Sequence, residues 1–512
     1  MRLRDNSVLS RHRIMWMLIM TVALAGWVSS GFAAPMEQLK ESVQEFTLDN
    51  GLRFLVVEKH DAPVFSYVAC IDAGGSCIVN NYSGIAHMLE HMAFKGTETV
   101  GTDQRSDEIK AMAKTDEAWD AVLAERRRGA KTDSTRLEEL TADFKELVEL
   151  EFQLGISNEF SKILDENGVR GINAFTSTEH TCFFYQLPSN RLELWARMEG
   201  ERLSNPILRE FYKEREVVFN ERRLTTDSSP TGRMYENFLG AAYKAHPYKN
   251  SIVGHATDIA EWHRRDIQAF LDKYYVAENM TICLVGDVTV DQVKKLAKKY
   301  FKDMKTTPEP PDITTSEPYH KAERRVVSEE DANPVVFVGW QSPDALHEDF
   351  PTMELLMEIL GGGRSSRFYK RLVKDEKIAI QAGAGVGLPG SKYLCQAMAF
   401  VTCTADKDPL EAEAMLYEEI ESLITEGPTQ AELDKVKAGY LAREMRGMRR
   451  DSRLGLALVS ADQLQGDWRY AFDHLADIEA VTLDQIKTAA AKYLIKERRT
   501  VAMLKKVEAT EL

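Results

Sequence analysis

The amino-acid sequence predicts an α+β fold made of two copies of one unit, and three observations support this prediction. Segments in which apolar and polar residues alternate, as in β-strands, are interspersed with long charged segments that have the period of α-helices. A helix, a loop and an apolar strand recur at one fixed spacing in the two halves of the chain. A proline-rich segment lies between the copies, and proline is unfavourable inside helices and sheets.

Length and charge limit the classes of protein to consider. The chain has 512 residues, and at about 150 residues per domain roughly two to four packed units are expected. Its 65 lysines and arginines against 80 aspartates and glutamates give a net charge of -15. Because phosphate backbones attract positive charge, this balance excludes nucleic acid as the main partner.

The N-terminus has the composition of a secretory signal peptide. Basic residues up to Arg13 precede an apolar run over residues 14–28, and Gly31 and Ala33 follow at spacings suited to cleavage. We expect residues 1–33 to be removed on export, which places the protein in the periplasm if its source is bacterial. The alternative is a membrane anchor at residues 14–28, but this run is shorter than the ~20 residues of a usual span.

Six cysteines, at positions 70, 77, 182, 283, 395 and 403, are scattered and never spaced as CxxC. Most of them lie in apolar, strand-like segments. We therefore expect buried cysteines with at most one or two disulfides, rather than a metal or redox site.

The first half begins with predicted strands over residues 46–78, which glycine-containing turns separate. Residues 103–165 are highly charged and helical in pattern, and residues 129–133 offer a turn between two helices. We interpret residues 103–165 as a helical hairpin insertion, a solvated charged arm without a chemical role.

The stretch "SGIAHMLEHMAFKGT", residues 83–97, carries the clearest chemical pattern. On a helix, His87, Glu90 and His91 share one face, and two imidazoles one turn apart can chelate a metal ion. An ordinary amphipathic helix with two histidines is the alternative. A tetrahedral catalytic zinc needs a third protein ligand and one open position, so the metal interpretation requires a further carboxylate or imidazole.

The segment "EREVVFNE" offers that carboxylate. Glu214, Val217, Val218 and Glu221 lie on one helical stripe, so two carboxylates share a face whose valines favour burial. An unpaired buried carboxylate costs several kcal/mol, which favours a metal or its histidines as partner over a plain surface helix. Seven residues separate the two glutamate backbones by about 10.5 Å, so one would bind the metal and the other would support a ligating histidine.

The segment "INAFTSTEHTCFFYQL" predicts a pair of strands, and helical sequence follows from Leu192 to Arg223. His180 beside the strands and His246 are expected to be structural histidines. The first half closes with a helix, a short loop and the buried strand "TICLVGD".

This closing pattern recurs at one offset, 486 − 267 = 219 residues, which pairs Ile267, Lys273, Tyr274 and Thr281 with Ile486, Lys492, Tyr493 and Thr500. Between the copies lie four prolines, at positions 308, 310, 311 and 318. We therefore predict a first domain at 34–302, a linker at 303–318 and a second domain at 319–512.

These segments resemble one known family, the pitrilysin or insulinase type of zinc peptidase, whose hallmark is an inverted HxxEH helix. "GIAHMLEHMAFKGT", "GINAFTSTEHT", "EREVVFNE" and "LGGGRSSRFYKRL" occur in the order of the family, so the resemblance covers about residues 45–505. It is closest to two-domain members such as mitochondrial processing peptidase and its bacterial relatives. The resemblance implies two homologous domains, each a mixed, mostly antiparallel sheet covered by helices, in a clamshell-type assembly.

The resemblance also implies a site for one Zn2+ ion per chain. His87, His91 and Glu221 would be the ligands, and Glu214 would support a ligating histidine. Glu90 would be the general base that takes a proton from zinc-activated water. The implied activity is that of an endopeptidase on peptides or unfolded polypeptides.

The residues Asn173, Ala174, Phe175 and Thr176 resemble the edge strand to which substrates of this family add as a further strand. Backbone pairing of this kind is largely independent of the substrate sequence. An ordinary interior strand is the alternative for this segment.

Two departures from the family pattern stand out. The spacing from His91 to Glu221, 221 − 91 = 130 residues, is longer than usual, and the excess lies in the charged hairpin. The activating Arg and Tyr of the family align here with Val373 and Ile380. Loss of such oxyanion-stabilising groups costs roughly 10²-fold in rate, so we predict a heterodimer with a related chain that supplies Arg and Tyr; a homodimer is the alternative.

Two alternative functions are less consistent with the sequence. A non-catalytic structural or assembly subunit is known among relatives in respiratory complexes, but such members lack a ligand or the base, and here both are present. The loop "GGGRSS", Gly361 to Ser366, suggests a phosphate-binding loop, but the preceding sequence is helical in pattern and no lysine follows. A packing turn explains this loop better.

Overall fold

The computed structural model describes residues 36–306, 310 and 312–507, so the predicted signal segment lies outside the described part. The chain divides into two compact units, Met1–Gln44 and Glu45–Leu512. In the first unit, residues 36–41 are helical. The second unit holds all the residues predicted for the metal site.

The strands of the first half are β1 (Val43–Thr47), β2 (Arg53–Glu58), β3 (Val64–Ile71), β4 (Arg170–Thr176), β5 (Thr181–Pro188) and β6 (Met280–Gly286). Its helices are α1 (Ile85–Met92), α2 (Arg105–Arg126), α3 (Ser134–Gln153), α4 (Glu159–Glu166), α5 (Leu192–Ser204), α6 (Phe211–Arg222), α7 (Pro230–Ala242), α8 (Ala256–Glu261), α9 (Arg264–Tyr274) and α10 (Val290–Tyr300).

The strands of the second half are β7 (Arg324–Glu330), β8 (Val335–Ser342), β9 (Ala379–Leu388), β10 (Cys395–Cys403) and β11 (Arg499–Lys506). Its helices are α11 (Phe350–Gly361), α12 (Pro409–Glu426), α13 (Gln430–Met448), α14 (Asp451–Gln465), α15 (Tyr470–Ala480) and α16 (Leu483–Tyr493). Between α10 and β7 the described residues form neither helix nor strand.

Apart from the additional strand β1 of the first sheet, the two sheets have the same topology, which confirms the predicted fold class. The first sheet has the order β1-β2-β6-β3-β5-β4, and the second has the order β7-β11-β8-β10-β9. In each sheet one pair is parallel, β2 with β6 and β7 with β11, and the pairs that follow are antiparallel. The edge strands β4 and β9 therefore hold equivalent positions.

The internal repeat is visible in the helix bounds. Helix α9 begins at residue 264 and α16 at residue 483, a difference of 483 − 264 = 219, and their last residues, 274 and 493, differ by the same number. The strand that follows each helix, β6 or β11, lies next to the strand with which it pairs in parallel, β2 or β7. The fixed offset in the sequence thus reflects a repeated structural unit.

Each sheet is covered on one face by a helix from the other half of the chain. Helix α14 packs on β3 and β6, where the small Gly455 lies close to Val68 and Val285. Helix α7 packs on the second sheet, where Phe238 contacts Phe337 in a buried cluster. This exchange joins the two halves within the compact unit of residues 45–512.

Two details of the helices differ from the sequence prediction. The helical sequence from Leu192 to Arg223 forms two helices, α5 and α6, because Pro206 lies between them and its ring is incompatible with a continuing helix. The charged hairpin, α2 with α3, is not a solvated arm. Its inner face buries an apolar set comprising Trp119, Val122, Leu123 and Phe144.

The cysteines follow the expectation of burial with few bridges. Cys70 on β3 and Cys182 on β5 are directly paired across the sheet and form a disulfide. Of the other four, three are buried and Cys77 is half-buried, and all four are free thiols. Within the described residues, no helix combines the length and apolar character that crossing a membrane requires.

Candidate metal centre

The start of helix α1 is fixed by close backbone packing. Gly84 precedes the helix with φ 80°, and a Cβ there would lie 2.6 Å from the carbonyl oxygen of Val253. The backbone N–H and the hydroxyl of Ser83 both donate to one Asp258 oxygen, at 2.9 and 2.6 Å. Met88 is buried beneath the helix, and both histidines lie on the side that faces α6.

His87 and His91 converge on Glu221 of helix α6. The Nε2 atoms of His87 and His91 lie 3.7 and 3.5 Å from the two carboxylate oxygens of Glu221. Two ligands of one tetrahedral zinc, each about 2.0–2.1 Å from the ion, are about 3.3 Å apart. The observed distances are too long for hydrogen bonds and close to those of ligands that share one ion.

The donor set therefore fits a zinc ion. One ligand atom from each of His87, His91 and Glu221 lies within 4.8 Å of the others. Two imidazoles and one carboxylate are a usual set for catalytic zinc, and they leave a fourth position for water or substrate.

Glu214 orients one of the two histidines. Its Oε1 lies 2.9 Å from Nδ1 of His91, so Nδ1 carries the proton and Nε2 is left with its lone pair facing Glu221. The other oxygen of Glu214 lies 2.6 Å from the ammonium of Lys95, which also approaches Glu210 at 3.2 Å. Lys95 had no signal in the sequence, because it lies beyond the end of α1 at Met92, where helical spacing does not apply.

Burial separates the pKa values of the two histidines. Burial, together with the neighbouring His91, lowers the pKa of His87 to about 4, so its imidazole is neutral at neutral pH. The pKa of His91 is also lowered by burial, but the hydrogen bond and charge of Glu214 more than offset this and raise it overall. Among the described residues, Nδ1 of His87 has no hydrogen-bond partner, so only His91 has a supporting carboxylate.

The burial expected for the two valines on the helical stripe of α6 is observed for only one of them. Val218 is buried, whereas Val217 is 49% exposed. On a helix these neighbours point about 100° apart, so Val218 faces the core and Val217 faces away from it. The expectation that both valines are buried was therefore wrong for Val217.

Glu90 lies between α1 and the edge strand. Burial raises the pKa of Glu90, and a hydrogen bond from the Thr176 hydroxyl, 2.7 Å from its Oε2, opposes this shift. A raised pKa makes a carboxylate a stronger base, which suits the role of a general base. The contact between Glu90 and Thr176 joins residues 86 positions apart and had no signal in the sequence.

The segment from Asn173 to Thr176 lies on β4, at the edge of the first sheet. The backbone N–H of Ala174 donates to the side-chain oxygen of Asn173 at 2.9 Å. Phe175 pairs with Cys182 of β5, and its ring lies 5.7 Å from that of His180. An open depression of about 340 Å³, lined in part by Glu90, His91 and Asn173, runs along this edge.

The positions aligned with the activating Arg and Tyr carry aliphatic side chains. Val373 packs against the core of the second half, and Ile380 on β9 is 56% exposed. Neither side chain can donate a hydrogen bond to an oxyanion.

The remaining sequence candidates are structural. The loop from Gly361 to Ser366 follows helix α11 rather than a strand, and a Cβ at Gly361 would lie 2.0 Å from the backbone of Ala384. His246 is buried and accepts a hydrogen bond from the backbone of Tyr248. A second possible metal cluster, Cys70, His180 and Cys182, has both of its cysteines in the disulfide.

Two family models and a curated relative match the chain. A family model described as insulinase (peptidase family M16) matches residues 53–121, and one described as peptidase M16 inactive domain matches residues 261–440. The zinc protease PqqE of Helicobacter pylori is 28% identical over 474 residues, which cover 90% of this chain and 92% of that protein.

Solved structures show the same fold. The crystal structure of a protease from Helicobacter pylori is similar with a TM-score of 0.75 at 26% identity, covering 90% of this chain and 99% of the other. The periplasmic protease PqqL from Escherichia coli is similar in fold, with a TM-score of 0.67 at 16% identity over 91% of this chain and 47% of its own.

Proposed function

This chain belongs to the pitrilysin/insulinase-type peptidase family, and we propose that it is a zinc-dependent endopeptidase acting on peptides or unfolded polypeptides. One observation carries the proposal. Three zinc donors converge from α1 and α6, and the carboxylate next to them, Glu90, is hydrogen-bonded to the edge strand where a substrate would pair. Substrate binding and peptide hydrolysis would then take place at adjacent positions.

The chemistry follows from the positions of the side chains. His87, His91 and Glu221 would hold a zinc ion, which when bound lowers the pKa of a water molecule toward ~7 and polarises a carbonyl. Glu90 accepts the proton of the attacking water, because its raised pKa keeps it a base that readily returns a proton. It then passes this proton to the leaving amine, and Glu214 holds the His91 ring in place throughout.

The edge strand supplies substrate binding with little sequence preference. An extended peptide that pairs with β4 would compete with the Asn173 side chain for the backbone N–H of Ala174. Thr176, at the end of the strand, would bring the paired backbone next to Glu90. Such binding requires an extended segment, which favours peptides and unfolded chains over folded proteins.

We also propose that the active form is a heterodimer. Val373 and Ile380 cannot stabilise an oxyanion, so a related chain would supply the Arg and Tyr across the cleft. The signal-like N-terminus, together with the periplasmic location of PqqL, supports export to a periplasm.

The test compares wild type with Glu90→Gln, each purified alone and together with proteins that co-purify from the source cell. Both are predicted to bind one zinc per chain, and only wild type is predicted to hydrolyse an unfolded polypeptide. Equal rates in the two proteins would refute the role of Glu90. The missing Arg and Tyr favour a second function, a non-catalytic assembly subunit, and zinc-loaded wild type that never cleaves, even with its partner, would support it.

A further inference from the structure

Helix α6 has a second buried face, about 100–120° around the helix from the face that presents Glu214 and Glu221. On this second face Arg215 is only 5% exposed, and its nearest carboxylate, that of Glu216, lies 3.9 Å away on an exposed side chain. Burial lowers the pKa of Arg215 to about 10, which expresses the unfavourable environment of its charge. A buried guanidinium without a close carboxylate is unfavourable unless other groups stabilise it.

The hairpin supplies that stabilisation. The guanidinium of Arg215 lies over the ring of Trp119 on α2, 4.0 Å from the ring centroid, which is a favourable cation–π distance. Arg215 Nη1 and Trp119 Nε1 both donate to the carbonyl oxygen of Trp262, at 3.0 and 3.1 Å. The three groups form a closed contact that connects α2, α6 and the loop between α8 and α9.

Two more contacts bind the hairpin to the elements of the site. The hydroxyl of Tyr212, at the start of α6, donates to Asp116 of α2 at 2.8 Å. Glu108 of α2 forms a fully buried ion pair with Arg209, whose guanidinium also donates to the carbonyl oxygens of Lys95 and Thr97. The hairpin therefore contacts both the segment after the HxxEH helix and the helix that carries the third ligand.

We propose that the hairpin is a brace for the metal centre, and that Trp119 is a positioning residue that fixes the rotation of α6 and hence the place of Glu221. This proposal rests on the proposed function, because Glu221 is taken as the third zinc ligand. If Trp119 is lost, Arg215 moves toward water and α6 rotates with it. At about 6 Å from the helix axis, a rotation of about 10° displaces a carboxylate by about 1 Å, which is half the length of a zinc–oxygen bond.

The experiment uses the full chain and three variants, Trp119→Ala, Trp119→Phe and Asp120→Ala. Phenylalanine keeps an aromatic face for Arg215. Asp120 is the matched control, because it neighbours Trp119 on α2 but pairs with the exposed Arg265 at the surface. Each protein is stripped of metal, and zinc affinity is measured by chelator competition at a temperature at which circular dichroism shows it fully folded.

We expect Trp119→Ala to bind zinc about 10- to 100-fold more weakly than wild type, to change the absorption spectrum of bound Co2+, and to lower kcat more than it raises KM. Trp119→Phe is predicted to restore most of the affinity, and Asp120→Ala to resemble wild type. Wild-type zinc affinity and Co2+ spectrum in Trp119→Ala, with only a lower Tm, would overturn the proposal, since a purely structural role predicts that result.

A further variant and the choice of readout ensure that the experiment can refute the proposal. If Trp119→Ala does not fold, Tyr212→Phe removes only the hydroxyl bond to Asp116, and unchanged zinc affinity in that variant overturns the brace. The metal measurements need no peptide cleavage. A wild type that binds zinc but hydrolyses nothing would thus count against the proposed function, and the variants would still decide the role of the hairpin.

Discussion

Replacement of Glu214 tests the metal centre most directly. In Glu214→Gln the side chain keeps an oxygen that can accept from Nδ1 of His91, now 2.9 Å from a carboxylate oxygen, but it loses the negative charge. A charged hydrogen bond of this kind contributes about 1.5–3 kcal/mol and a neutral one about half as much. The expected loss is about 1–1.5 kcal/mol, or roughly tenfold in zinc affinity. Glu214→Ala removes the acceptor entirely and is predicted to cost up to about 100-fold.

The control lies two positions along the same helix. Glu216 is exposed, and its carboxylate approaches no group closer than Arg215, at 3.9 Å, among its ion pairs in the described residues. Glu216→Gln should therefore bind zinc as wild type does. When Glu214 is replaced, the Lys95 ammonium still has the carboxylate of Glu210 as a partner at 3.2 Å. The loss of zinc affinity can therefore not be attributed to an unpaired lysine.

The assay is competition for zinc between the apo protein and a chromophoric chelator, followed by peptide hydrolysis at saturating zinc. A graded loss, small for glutamine and larger for alanine, is the signature of lost orientation of His91. If both variants bind zinc within twofold of wild type, Glu214 does not support a ligand. If Glu216→Gln shows the same loss of zinc affinity, the loss results from the change in net charge and not from the orientation of His91.

Three further predictions follow from the same structure. The double variant Val373→Arg/Ile380→Tyr is predicted to raise the hydrolysis rate of the purified lone chain by roughly 100-fold, measured with a quenched peptide; no gain would contradict a missing oxyanion pair. Replacing Cys70 and Cys182 by alanine opens a loop with a sequence separation of 112 residues and should cost about 4–5 kcal/mol in urea unfolding; an unchanged midpoint would contradict a formed disulfide. Hydrogen bonding from a neighbouring histidine lowers the pKa of Glu236 to about 2. The ionised carboxylate therefore stabilises the folded state at pH values above its pKa in the unfolded chain, near about 4.3, and this stabilisation is lost as the pH falls toward 2. Urea unfolding of wild type and Glu236→Gln should therefore differ at pH 7 and converge as the pH approaches 2, whereas a constant difference would contradict this assignment.

The sequence predicted those parts of the site that depend on local periodicity. His87, Glu90 and His91 are three and four residues apart, so a single helix brings them to one face wherever it lies in the fold. The helical stripe with Glu214 and Glu221 indicated that one carboxylate would bind the metal and the other would support a histidine, and the family resemblance then implied Glu221 as the ligand. The fixed offset of 219 residues predicted the repeated sheets in the same way, since a repeated unit keeps its spacing.

Contacts between distant segments were not predictable from periodicity. The hydrogen bond between Thr176 and Glu90 depends on how β4 is placed against α1, and no spacing in the sequence encodes it. The packing of the hairpin did have a signal. Trp119, Val122 and Leu123 lie at positions i, i+3 and i+4 and form a narrow apolar stripe. The high charge of residues 103–165 obscures this stripe and predicts a solvated arm instead.

The second half of the chain also contacts the first half near its edge strand β4. The turn after β9 contacts the turn between β4 and β5, where the Thr178 hydroxyl donates to the carbonyl of Pro389 at 3.0 Å. Lys392, from the same turn, lies 2.7 Å from Asp72 at the end of β3. Because Thr178 lies two residues after Thr176, these contacts hold the end of the edge strand that reaches Glu90. The second half thus helps to position the strand on which, in the proposed function, a substrate would be presented to the proposed metal site of the first half.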